Sequence, residues 1–375
     1  MNGEAGDNQG LDPVLDRPPQ ARSRWGRRSP GRRHGGFGKD RGGPIYAALD
    51  LGTNNCRLLV ARPTGDGFRV VDAFSRIIRL GEGVSLSGRI SDAAIARAVS
   101  ALSICRNKMR NRGVTRARLI ATEACRAAEN GEEFRAHISA AVGLDLEVID
   151  RETEALLAAT GCTSLMDPEA DGVVLFDIGG GSSELVRLNR SQEAPGGPPL
   201  PQIAGWISLP LGVVTLAERH GGITVSGATY EAMVDEVAEF IAPFARTHGG
   251  EAMRGLHMLG TSGTVTTIAG VHLDLRRYDR NRVDGCWMSA QEINGVVEKL
   301  LAMSYQERVA SPCIGAERAD LVLAGCAILD AIRRAFPCPR LRVADRGLRE
   351  GMLVQMMRED GVWGGGGGGG PAAAS

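Results

Sequence analysis

The segment DIGGGSSEL, Asp177 to Leu185, decides how the rest of this chain is read. It follows the apolar run VVLF and leads into a second one, LVRL. That pattern is a strand, a turn built of glycine and serine, and another strand. Asp50 to Leu58, DLGTNNCRL, has the same layout after the run IYAAL. One such hairpin needs its glycines only for turn geometry. Two at matching positions mark a duplicated domain with an equivalent loop in each copy.

Loops of glycine and serine can turn successive backbone N–H groups toward one point, which makes an anion-binding nest. Side chains larger than serine would block a phosphoryl oxygen. Gly180, Gly181 and Ser182 meet this need in the second copy, and Gly52, Thr53 and Asn54 make the corresponding loop in the first. A third turn, GTSGT from Gly260 to Thr264, follows the apolar run LHML and opens a helix. Helix N-termini favour anions, so Gly260, Thr261 and Ser262 join the candidate phosphate ligands. Asp50 and Asp177 precede their loops and would repel a phosphate directly. Their placement makes sense if Mg²⁺ or its water shell lies between. Loops from two copies then face each other across a cleft.

The wider chain agrees with a two-domain enzyme. Its 375 residues suit two domains on length alone. A hydrophobic fraction of 43% and a charged fraction of 23% describe an ordinary globular protein. Lys plus Arg and Asp plus Glu both number 44, so net charge argues for neither nucleic acid nor membrane as partner. There is no apolar run of about 20 residues to span a bilayer. Eight cysteines without a CxxC pair and six scattered histidines argue against zinc. With no apolar leader segment at the N-terminus, a cytoplasmic location is expected.

Residues 1–43 read as a disordered basic tail, with nine basic residues and one acid between Arg17 and Arg41. A weak tether for polyanions is the sharper reading of that arm. Residues 361–375 read as a flexible glycine-rich tail. Between them lie two expected lobes, 44–168 and 169–360. Ser91 should cap a helix carrying Ile95, Val99, Leu102, Cys105 and Met109 and stopped by Gly113. Tyr230, Met233, Val234, Val237, Phe240, Ile241 and Phe244 should form the core face of a long helix. Ser289 with Glu292 reads as a capping box. Further helices are expected over Arg151–Cys162, Glu317–Phe336 and Gly347–Arg358.

Seven segments in order, LDLGTNNCRLLV, ATEACRAAEN, RETEALLA, DIGGGSSELV, LPLGVVTLAE, GTSGTVTTIAG and GLREGML, resemble the exopolyphosphatase/guanosine pentaphosphate phosphohydrolase family. The resemblance runs from Ala48 to about Val354. It implies the short two-domain form, without a helical C-terminal extension, of the actin and sugar-kinase superfamily. The implied fold is α/β, two ribonuclease-H-like (actin-like ATPase) domains with an interdomain cleft. The implied reaction releases orthophosphate from the end of inorganic polyphosphate, with Mg²⁺ or Mn²⁺ as cofactor. Hydrolysis of pppGpp to ppGpp is the close alternative. A superfamily kinase and a non-catalytic polyphosphate or alarmone sensor are the more distant ones, and a homodimer is a further expectation.

Carried over by position, Glu154 is the general base, with Glu152 as its local competitor. Glu184 positions the water or the metal together with Asp50 and Asp177. Arg126 contacts phosphate. The chain departs from the family pattern at Thr53, which keeps the hydroxyl of the usual serine. It departs again at Asp150-Arg151 and Thr153, which set unusual charges beside Glu154.

Overall fold

The computed structural model describes residues 43–190 and 197–363. The expected tails, up to residue 42 and from residue 364, lie outside the described residues. The chain is mixed α/β with two sheets, as the duplicated hairpin predicts. The first sheet holds β1 (Tyr46–Leu51), β2 (Asn55–Pro63), β3 (Phe68–Ile77), β4 (Arg116–Ala121) and β5 (Glu147–Val148) in the order β3-β2-β1-β4-β5. The second holds β6 (Gly172–Ile178), β7 (Ser183–Asn189), β8 (Gln202–Leu209), β9 (Leu256–Thr261), β10 (Trp287–Ser289) and β11 (Arg340–Ala344) in the order β10-β11-β9-β6-β7-β8.

The two sheets repeat one plan. β1, β2 and β3 form an antiparallel meander, and β4 then adds parallel to β1. β6, β7 and β8 do the same, with β9 parallel to β6. The registers also match. Asp50 stands opposite Arg57, and Asp177 stands opposite Glu184. The turn is closed by the same bond in both copies, Gly52 N–H to Asn55 O and Gly179 N–H to Ser182 O, each 2.9 Å.

Capping residues delimit the helices as expected. Ser91 accepts from Ala94 N–H at the start of Asp92–Arg112, and Gly113 ends it at φ 63°. Ser289 and Glu292 form the reciprocal box on Ala290–Ala302. Two expectations need correction. Phe240 is 38% exposed, because it lies on the flank of the apolar stripe that buries Tyr230, Met233, Val234, Val237, Ile241 and Phe244. The helix expected from Glu317 spans Val322–Ala335 instead. Turns after Gly315, at φ 74°, precede it and carry Arg318 toward the cleft.

Two helices cross between the sheets. Arg151–Cys162 comes from the first half of the chain, yet Ala155, Ala159 and Cys162 pack on Val173, Leu175, Val186 and Leu188 of the second sheet. Leu348–Glu359 is the last helix among the described residues, yet Met352, Leu353, Met356 and Met357 pack on Tyr46, Ala48, Leu59 and Ala61 of the first sheet. The packing therefore does not follow the sequence division at 168/169: each sheet takes a covering helix from the other half. Each buried Leu or Met side chain in such a face stabilises the fold by about 1.5–3 kcal/mol. The two helices touch through glycine. A Cβ on Gly161 would overlap the Gly347 carbonyl, and one on Gly351 would overlap the Leu157 carbonyl.

The opposite side of the junction is held by polar groups. Arg79, at φ 45°, pairs with Asp320 at 2.9 Å. Glu218 accepts from Gly83 N–H at 2.8 Å and from the Ser85 hydroxyl.

The helix crossing is open to a direct check. Gly351→Ala should destabilise the fold by about 1–3 kcal/mol through overpacking against a backbone that cannot move aside. Urea unfolding of the variant measures it, and an unchanged midpoint would show that the crossing has slack.

Candidate active site

The two hairpin turns meet. A Cβ on Gly180 would press on Thr53, and one on Gly181 would press on Thr53 and Glu123. The glycines are thus required first for the close approach of the two loops. They also leave donors free. Among the described residues, no protein acceptor takes the N–H groups of Thr53, Asn54, Gly180, Gly181 or Ser182. Buried amides without partners are rare and costly, so a cluster of them marks a place for an anion. The carbonyls are occupied, since Val213 N–H bonds to Gly179 O and Val214 N–H to Gly180 O.

These loops line a cavity of about 510 Å³ between the sheets. Most of the expected site residues reach it: Asp50, Gly52, Thr53, Asn54, Glu154, Asp177, Gly180, Gly181, Ser182, Glu184, Thr261 and Ser262. Two do not. Gly260 is inside β9, where its missing side chain makes room for Phe176. Arg126 is not in the lining, and each of its three side-chain nitrogens has an acceptor. Nε and Nη2 donate to Glu123, Nη1 to Ile149 O at 2.7 Å, and Nη2 also to Glu154 at 2.8 Å. Arg126 is thus a direct partner of the Glu154 carboxylate. Thr261 lines the cavity but gives its hydroxyl to Arg346 O. Ser262 has φ 88° and a buried hydroxyl without a partner, at the start of Gly263–His272. The backbone there is in a strained region for a residue with a side chain.

Glu154 and Glu152 part company. Glu152 is exposed, while Glu154 enters the cleft on the first turn of the Arg151–Cys162 helix. That turn is capped by Asp150, which accepts from Thr153 N–H at 2.7 Å. Burial pushes Glu154 up to about 7, against the pull of Arg126 and with help from Asp50 and Asp177. Asp177 rises to about 6, again through burial first and Asp50 among the further causes. Burial likewise raises Asp50, and it raises Glu184 well above the usual range with Glu154 and Asp177 adding to it. Glu184 accepts from the Ser208 hydroxyl at 2.9 Å.

The expected metal set of Asp50, Asp177 and Glu184 does not form a closed cage. Among the described residues no three His, Cys, Asp or Glu side chains converge as a ready metal site. The donor chemistry nonetheless fits a hard divalent cation. Asp50, Glu154, Asp177 and Glu184 are all oxygen donors raised first by burial, with neighbouring acids adding to it, and a cation would relieve that repulsion. Mg²⁺ characteristically keeps its waters and takes one or two carboxylates plus substrate phosphates.

Other residues in the cavity were not foreseen. Arg57, Arg318 and Arg349 line it and have no carboxylate within ion-pair distance among the described residues. Arg57 was legible: it occupies in DLGTNNCR the place that Glu184 holds in DIGGGSSE. Arg318 and Arg349 carried no such signal. Glu123 also lines the cavity. Tyr278, Cys313, Leu321 and Val322 lie in the lining together with the third loop.

The comparisons agree with this geometry. Residues 59–360 match the model of the Ppx/GppA phosphatase family. Exopolyphosphatase 2 of Mycobacterium tuberculosis is 27% identical over 326 residues, covering 83% of this chain and 98% of that protein. The crystal structure of the Aquifex aeolicus Ppx/GppA family member superposes with a TM-score of 0.69 at 26% identity, over 84% of this chain and 98% of that one. An exopolyphosphatase from Cytophaga hutchinsonii has the same fold, with a TM-score of 0.75 at 23% identity over 84% of this chain and 98% of that one. With a duplicated actin-like fold, paired glycine loops and a family match over most of its length, the chain belongs to the Ppx/GppA phosphatase family.

Proposed function

We propose that the chain hydrolyses the terminal phosphoanhydride of inorganic polyphosphate and releases orthophosphate. One observation carries the reading. Glu154 Oε2 is pinned by Arg126 at 2.8 Å, while no protein donor meets Oε1 among the described residues. A carboxylate held by one oxygen, with the other free beside two amide nests, suits a base that orients a water for in-line attack. Its value of about 7 matches proton transfer near neutral pH. The free amides of the two loops would hold the terminal phosphoryl group, and Arg57, Arg318 and Arg349 would spread its charge. Asp50 and Asp177, with Glu184 behind them, would hold a Mg²⁺ or Mn²⁺ ion, which supplies neutralisation of the phosphate oxygens. The name exopolyphosphatase on the similar mycobacterial protein supports the polyphosphate reading.

A second reading, hydrolysis of pppGpp to ppGpp, is favoured by one feature. Tyr278, 41% exposed, joins Cys313, Leu321 and Val322 in the cavity wall, where a base could rest. Orthophosphate release with Mg²⁺ separates the readings when long polyphosphate and pppGpp are compared at equal concentrations of phosphate ends. Faster release from polyphosphate is expected. Faster release from pppGpp, lost selectively in Tyr278→Ala, would reverse the assignment.

Glu154→Gln keeps an acceptor for Arg126 but removes the base. Turnover should fall by about 100-fold or more, while polyphosphate binding stays within a few-fold. A parallel loss of binding would make Glu154 a ligand and not a base. The same variant has a readout in stability. The folded-state value of Glu154 lies above its ordinary 4.5, so its stabilising contribution is complete below 4.5 and is lost as pH rises through about 7. Glu154→Gln should therefore melt higher than the parent at pH 8, with the gap closing toward pH 5.

Arg126→Ala removes the cation that lowers Glu154, leaving burial and the charges of Asp50, Asp177 and Glu184 unopposed. The acid limb of the kcat profile should move to higher pH. A limb that stays in place would show that another group sets it.

A further inference from the structure

Glu123 begins the short Glu123–Ala127 helix just after β4, and it is only 9% exposed. Its carboxylate is fully engaged by two arginines. Oε2 accepts from Arg126 Nε at 3.1 Å and Nη2 at 2.8 Å, and from Arg151 Nε at 3.2 Å. Oε1 accepts from Arg151 Nη2 at 2.8 Å. Arg126 in turn reaches Glu154. Arg151 and Glu154 share the first turn of one helix, so the chain of contacts closes on itself: Arg151, Glu123, Arg126, Glu154, and back through the helix to Arg151. Two cations and two acids balance within it. The bonds from Arg151 and Arg126 outweigh burial and hold the Glu123 carboxyl below its ordinary range.

From this ring we infer that Glu123 and Arg151 are positioning residues, which hold the Arg126 guanidinium in the orientation that fixes Glu154 Oε2 and leaves Oε1 to the water. The inference rests on the reading of Glu154 as the base. Neither residue needs to touch substrate. An arginine side chain left alone has about 2 kcal/mol of rotamer entropy to resist such fixing. Bonds from Glu123 to both Nε and Nη2 remove that freedom from Arg126, and Arg151 in turn fixes the Glu123 carboxylate. Arg151 acts on Glu154 through Glu123, because among the described residues its side-chain bonds all go to that carboxylate. The side chain of Arg151 is 42% exposed, so its removal leaves the core intact.

The test is a double-mutant cycle read as kcat and KM on whichever of polyphosphate and pppGpp is turned over faster. Glu123→Gln, which keeps the shape of the side chain, should lower kcat by about tenfold, since small misplacements of reacting groups are costly. Arg151→Ala should lower kcat by about threefold to tenfold with KM within about twofold, and Arg151→Lys should recover part of the loss. The double variant should match Glu123→Gln alone, because residues acting through one another are not additive. Wild-type kcat in Arg151→Ala, losses that multiply, or a loss confined to KM would each overturn the inference. Glu154→Gln is measured alongside. Full turnover there would bring down the base assignment itself, whereas an inactive Glu154→Gln with a normal Arg151→Ala would sink only the positioning role.

Discussion

Gly180 and Gly181 lie against Thr53 and Asn54 so closely that no side chain fits at either glycine. That contact joins the two sheets at the ends of their first strands. It sets the width of the cleft and directs unpaired amides from both loops at the same space. Two ordinary hairpins would splay and leave their N–H groups to water. Here the loops meet, and the cluster of unpaired amides belongs to the pair. Gly212 continues the constraint, since a Cβ there would meet the Gly180 backbone.

The electrostatics of the cleft follow from the same geometry. The shared register places Asp50 opposite Arg57 and Asp177 opposite Glu184. The duplication is therefore symmetric in backbone and asymmetric in charge. One hairpin brings a cation, the other a second acid. With Glu154 added from the crossing helix, four carboxylates share a buried space, and each is raised from its ordinary value. Such a site is poised to take up positive charge and to release protons near neutral pH. Arg57 and Arg349 pull Asp50 and Asp177 back down without pairing directly with either.

The crossed helices explain why Glu154 sits where it does. Arg151–Cys162 leaves the first sheet and packs on the second, so its first turn passes the mouth of both loops. Leu348–Glu359 makes the reverse passage and brings Arg349 into the cavity lining. The glycine contacts at Gly161 and Gly351 let the two helices pass at backbone distance. A lobe assignment by chain order misses this exchange, because apolar periodicity shows which face of a helix is buried but not which sheet buries it.

Much of the site was legible in the residues. The two D-x-G hairpins announced the duplicated sheet, the paired loops and the acids that head them. Ser91, Gly113, Ser289 and Glu292 marked helix ends through local hydrogen bonds that need no tertiary partner. Arg57 could be found by aligning the repeat. What the residues alone could not show depended on distance in space. Gly260 looked like a third phosphate ligand until its strand placed it against Phe176. Arg126 was expected at a phosphate, and only the folded chain shows Glu123, Ile149 and Glu154 taking four of its five N–H donors. Local propensity, capping and repeat spacing are encoded over a few residues, and the sequence by itself determined them. The partner of each charged side chain is chosen by packing between segments far apart in the chain, and only the tertiary structure decided it.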